Sequence, residues 1–299
     1  MNKGILASIV ANTLWGLFPI YWRLLEKDPA IEILAHRMVW SFLFVAILLT
    51  VRKEWRWLGP VLRNRRTVLI YTLAAILLSV NWFTYIWAVN AGYVVEASLG
   101  YFINPLVNFL LGVIFLGEKL RPWQIAAVIL AGLGVVYLTV IYGSLPWISL
   151  VLAFTFGFYG MIKKTAVLES MHGFSLETMV LFLPALGYLL YRNAVGIGAF
   201  GHQGALITLL LALAGPVTAI PLLMFGYAAR NIPLSMLGFI QYILPTLQFL
   251  LGVFVYLEPF PPARLVGFCI IWLALLVYSL EGVLFTRKPK SGDRVVEPL

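Results

Sequence analysis

A lone cysteine, Cys269, excludes an internal disulfide framework and leaves no cysteine cluster to hold a metal. The three histidines, His36, His172 and His202, fall in separate runs or loops. No HExxH zinc pair, GxSxG nucleophile elbow or GxxxxGKS/T phosphate loop occurs, so no catalytic residue, metal ligand or cofactor is assigned. Charge is scarce as well. Asp, Glu, Lys and Arg make up 11% of the 299 residues, against about 25% in an ordinary globular chain. Apolar residues reach 62% and the mean hydropathy is +0.96. A water-soluble fold of that composition would expose large apolar patches, so the solvent it implies is a lipid bilayer.

What is present is a series of ten apolar runs, near 4–24, 32–51, 67–89, 96–116, 122–142, 146–163, 176–192, 205–229, 234–257 and 263–284. Each approaches the roughly 20 residues of a helical membrane span. None alternates like a strand, so the predicted fold class is an all-α polytopic membrane protein rather than a barrel. The first run reads as a span and not as a secretory signal, because it continues through Trp15, Pro19 and Trp22 to Arg23 with no cleavage site after it. The tail, 286–299, is polar and predicted to be a disordered cytoplasmic end.

The five letters FLLGV occur at Phe109–Val113 and again at Phe249–Val253. At the same offset of 140, Pro105 answers to Pro245, Glu118 to Glu258, Pro122 to Pro262 and Asn108 to Gln248. Pro261 stands where the first half has Arg121, so the two turns differ in charge. The offset predicts a duplication, with a first five-helix repeat over 1–143 and a second over 144–285. An odd number of spans per half inverts the second copy, which gives ten transmembrane helices as two inverted repeats. With the amino end inside, 16 Lys and Arg fall on the inner side and 4 on the outer, with Arg37 inside a span. That excess predicts cytoplasmic termini. The net charge of +9 is thus topological and implies no nucleic-acid partner.

Polar residues inside the runs mark where a solute would be handled. Tyr101, Asn104 and Asn108 share one face of the fourth run, and Gln241 and Gln248, with Tyr242 beside them, lie in the ninth. The third run adds Asn81, Trp82 and Tyr85, the first Asn12 and Trp15, the sixth Tyr159. Singly, such amides join helices to one another; as a set they are predicted to line one cavity. Arg37 lies five residues inside its run, facing the cavity or snorkelling outward, with Glu32 or Glu96 as carboxylate partner. All twelve acidic residues are read in loops, in the tail or near run ends, which argues against a deep carboxylate relay. Glu118 and Glu258 are given structural, turn-fixing roles. Pro105, Gly215, Pro216, Pro221 and Pro245 are read as hinge or gate positions, since proline removes a helical hydrogen bond.

WG in the first run, EILAHRMVWS in the second, NWFTYIWAVN in the third and P…FLLGV…E closing each half together resemble the EamA-type members of the drug/metabolite transporter superfamily, most closely the RarD branch. The resemblance runs from about residue 4 to 284. It implies a bacterial inner-membrane carrier, monomer or homodimer, that moves a small organic metabolite or drug by alternating access through a central cavity. It also implies a permease of chloramphenicol type. A channel-like facilitator and a scramblase or receptor are the other classes that the composition allows.

Overall fold

The computed structural model describes residues 2–116, 121–142, 145–165, 167–232 and 240–286. Among these residues every regular element is helical. Glu118 and the tail beyond 286 lie outside them.

Helix α1 (Lys3–Gly16) starts where the Asn2 side chain accepts the Gly4 N–H at 2.8 Å, the usual remedy for an orphaned first-turn donor. The short α2 (Phe18–Arg23) completes the first apolar run. Pro19 sits in its first turn, where the missing N–H leaves no bond unmade. Helix α3 (Ala30–Arg52) ends on Lys53 in the left-handed conformation, φ 54°, and the Glu54 N–H closes back on the Leu49 carbonyl at 3.0 Å. After the short α4 (Leu58–Arg63), α5 (Arg65–Asn90) and α6 (Val94–Leu116) are separated by a turn at Gly92, φ 80°. Then follow α7 (Pro122–Tyr142), α8 (Trp147–Thr165), α9 (Ser170–Ala194), α10 (Ala205–Asn231), α11 (Ile243–Leu250) and α12 (Pro262–Thr286). Helix α11 runs on into a π-turn, Leu251–Val255.

Among the described residues six helices are long and apolar enough to cross a membrane, and shorter apolar stretches lie at Trp147–Lys163, Ile243–Val255 and Leu265–Ala274. One of the boundaries differs from the sequence reading in an informative way. The seventh run was placed at 176–192, whereas α9 begins at Ser170. Glu177 is therefore two turns inside a helix and buried, not near a run end. Glu281 is likewise buried, within α12. The polar residues Ser170, His172 and Ser175 lower the local hydropathy and hide the first turns of α9 from a hydropathy reading.

The chain packs as two units, Met1–Gly117 with Pro146–Phe260, and Glu118–Leu145 with Pro261–Leu299. In the second unit α7 lies against α12 with glycines at the seam: a Cβ on Gly134 would stand 2.8 Å from Ile271, and one on Gly267 would overlap the Leu138 side chain. Arg121 bonds the buried Glu281 there at 3.1 Å. In the first unit the same device recurs. A Cβ on Gly100 of α6 would meet the Ser149 carbonyl of α8 at 2.8 Å, and the Ser149 hydroxyl donates to the Glu96 carbonyl at 2.7 Å. Small residues at such crossings let backbones approach where lipid supplies no hydrophobic drive between helices.

The second FLLGV copy has a visible task. Gly252 lies where a Cβ would meet Val95 Cγ2 at 2.7 Å, and Glu258 accepts the N–H groups of Val94 and Val95, both at 2.8 Å. Glycine and carboxylate together cradle the start of α6, where a negative charge meets the positive end of the helix dipole.

Candidate functional site

One cavity in the first unit is lined by Asn12, Trp15 and Phe18 from the first run, Arg37 from α3, Asn81, Trp82 and Tyr85 from α5, and Tyr101 and Asn104 from α6. Phe156, Leu222, Gln241, Leu244 and Gln248 complete it. Its empty space is about 600 Å³, open solvent included. Ten of the thirteen side chains that the sequence grouped as cavity residues meet here. Of the others, Asn108 has no described side chain, Tyr242 is not in the lining, and Tyr159 turns to Glu177 instead.

The polar side chains are held from behind. Gln248 donates through Nε2 to the Trp15 carbonyl at 3.2 Å and to the Tyr85 hydroxyl at 2.9 Å. Asn12 donates through Nδ2 to the Ser8 carbonyl one turn back, at 2.8 Å. Asn81 reaches across to α8, donating to the Leu152 carbonyl and the Thr155 hydroxyl, both at 2.9 Å. Asn104 does the same at the Ala153 carbonyl, 3.0 Å. Asn81 and Asn104 thus join helices as well as line the cavity. Aromatic faces fill the rest: Tyr85 and Tyr101 stand edge to face at 5.8 Å, and Tyr101 meets Phe156 at 6.3 Å.

Arg37 is 1% exposed. Its Nε donates to Thr218 Oγ1 at 2.9 Å, and its guanidinium carbon lies 4.6 Å from the Trp22 ring centre and 4.1 Å from that of Trp82. Neither carboxylate proposed from the sequence is the partner: among the described residues no ion pair forms to Arg37. Glu32 is taken up elsewhere, accepting from Arg192 at 2.6 Å and from the Ala199 N–H at 2.8 Å. An intramembrane cation without a counter-carboxylate relies on the two indole faces, an arrangement worth about 2 kcal/mol when desolvated.

A second buried polar cluster went unread in the sequence. The Glu177 carboxylate, 2% exposed, accepts from Lys163 Nζ at 2.8 Å and from the Tyr159 hydroxyl at 3.1 Å. Lys163 also lies over the rings of Tyr71 and Tyr159, 5.4 and 5.7 Å from their centres. Phe18 was legible by spacing, one turn from Trp15. Leu222 and Thr218 carried no such signal.

Of the positions read as hinges, Pro216 and Pro221 lie inside a continuous α10. Gly215 packs tightly against α3, and the Ser41 hydroxyl donates to its carbonyl at 3.2 Å. Pro245 is buried in α11, and Pro105 falls within α6 without a described side chain.

Apolar helices of spanning length, buried amides and, among the described residues, a buried arginine with no ion-pair partner define a multi-pass helical membrane protein. The comparisons with known proteins make this specific. The EamA-like transporter family matches residues 2–140. Protein RarD of Streptomyces exfoliatus is 48% identical over 99% of this chain and 94% of its own. The uncharacterized transporter YojE of Bacillus subtilis is 47% identical over 97% and 98%. A chloramphenicol-sensitive protein RarD of Pseudomonas aeruginosa is 32% identical over 96% and 97%. A solved structure 17% identical in sequence shares the fold, with a TM-score of 0.60 over 94% of this chain and 98% of its own. The chain belongs to the EamA-like transporter family, in its RarD-like branch, and is a membrane transporter.

Proposed function

We propose that the protein is a secondary carrier of the bacterial inner membrane that moves a small organic solute by alternating access. The solute occupies the cavity just described, between two inverted five-helix repeats. One observation carries this reading: residues from both sequence halves, Asn12 to Asn104 and Phe156 to Gln248, converge on a single polar and aromatic cavity. Transporter sites commonly form at such repeat interfaces. Chloramphenicol appears only in the name of the 32%-identical relative. The names of the relatives at 47–48% identity specify no solute, so the substrate is kept at the level of a small organic molecule.

Counterflow in proteoliposomes tests the mechanism. A carrier gives saturable uptake of labelled solute that is accelerated by unlabelled solute inside, whereas non-saturating flux without acceleration would replace it with a channel-like facilitator. Gln241→Ala is expected to lower solute affinity by about 2- to 13-fold, the loss of one hydrogen bond. Unchanged affinity in monodisperse protein removes Gln241 from the site.

Orientation follows from the charge partition and has its own check. In a Cys269→Ser background, a cysteine at the exposed Arg63 is expected to resist an impermeant thiol reagent on intact cells, and one at the exposed His202 to react. The opposite pattern reverses the topology.

A further inference from the structure

We infer that the cavity selects a small zwitterion, with the ligand carboxylate on Arg37 and its ammonium on the side-chain oxygens of Asn12 and Gln248; this rests on reading the cavity as the solute site. Three buried polar atoms of cavity-lining residues have no hydrogen-bond partner among the described residues: Arg37 Nη1, Asn12 Oδ1 and Gln248 Oε1. Their residues are 0–1% exposed. The set comprises one charged donor and two neutral acceptors.

The identity of the free atoms follows from the bonds already made. Asn12 and Gln248 each face a backbone carbonyl, of Ser8 and of Trp15, and a carbonyl only accepts. The amide nitrogens must therefore turn to those carbonyls, which leaves the oxygens as the unmatched atoms. At Arg37 the rings of Trp22 and Trp82 attract the charge, but a ring face is a weak acceptor for a directed N–H. A carboxylate suits a guanidinium better, since two parallel N–H groups meet its two oxygens.

The class of ligand follows by matching. A neutral aromatic solute would satisfy neither end. A simple anion would serve Arg37 and leave two buried acceptors unmatched, and a simple cation would serve the amides but be repelled by an uncompensated guanidinium. Only a molecule with an anionic group at one end and a donor at the other completes all three atoms. Trp15, Tyr85, Tyr101 and Phe156 then surround its apolar body.

The test uses the full-length protein in lipid nanodiscs. Thermal unfolding is followed with zwitterions of increasing charge separation: the standard α-amino acids, 4-aminobutanoate and a set of dipeptides. Each is paired with its carboxamide, which lacks the anion, and its N-acetyl form, which lacks the ammonium. At least one zwitterion is expected to raise Tm and to bind roughly 10- to 150-fold tighter than its carboxamide, the range for a charged hydrogen bond. Arg37→Gln is expected to erase that preference, and Asn12→Leu the preference over the N-acetyl form. Because the selectivity is read on the wild-type protein, a variant that fails to fold leaves the test intact. Equal binding of acid and carboxamide, or no stabilisation by any zwitterion, overturns the proposal. If a neutral solute shows saturable counterflow while zwitterions do not bind, the carrier reading stands and this one falls. If a zwitterion binds selectively but shows no counterflow, the site is right and the carrier reading fails.

Discussion

Glu177→Ala is expected to destabilise the protein by about 3–5 kcal/mol, because it removes one partner of a buried ion pair and strands the other. The carboxylate is 2% exposed and Lys163 23%, and the same substitution takes the acceptor from the Tyr159 hydroxyl. The double variant Glu177→Leu with Lys163→Met is expected to recover most of that loss, since two well-packed apolar side chains need no counter-charge. Thermal unfolding in a fixed detergent, read for the wild type, both single variants and the double, supplies the cycle. If the single losses simply add in the double, the two side chains are not coupled and the pair does not hold α8 to α9.

That pair also shows where a sequence reading stops. The all-helical membrane character was legible because long apolar segments have no other stable home, and the described parts of the apolar runs are mostly helical, six of them at spanning length among the described residues. Asn81, Tyr85, Tyr101, Asn104 and Gln248 were legible because a polar side chain in an apolar run requires a reason. Glu177 was not, since it lies in a polar patch at the start of α9 that resembles a loop until the helix is seen to begin at Ser170. The partner of Arg37 was misread for a different reason. A sequence suggests pairing by charge, and Glu32 is the nearest carboxylate on the same helix. In the fold Glu32 accepts from Arg192 and Ala199, while two tryptophans and Thr218 surround the arginine. Contacts to ring faces and to a threonine on a helix 181 residues away leave no pattern in one chain.

Gly215→Ala is expected to cost about 3 kcal/mol or more, at the upper end of overpacking, and to cut the yield of folded protein. A Cβ there would overlap the Trp40 carbonyl carbon and stand 2.5 Å from the Trp40 Cβ and carbonyl oxygen. The obstacle is largely backbone of α3, which no rotamer change relieves, so α3 and α10 would have to move apart. The Ser41 hydroxyl bond to the Gly215 carbonyl, 3.2 Å, would lengthen with them. Gly132 and Gly187 are the controls, because nothing lies within 4 Å of a Cβ at either place. Alanine there is expected to be neutral or to stabilise by up to about 1 kcal/mol, the helix preference for alanine over glycine. Size-exclusion profiles and Tm for the three variants decide between two uses of Gly215. A close crossing predicts loss of folded protein at 215 alone. A hinge, the role suggested by Pro216 and Pro221 beside it, predicts normal folding and Tm with slowed counterflow, and that outcome would move the glycine from the packing of the fold to its motion.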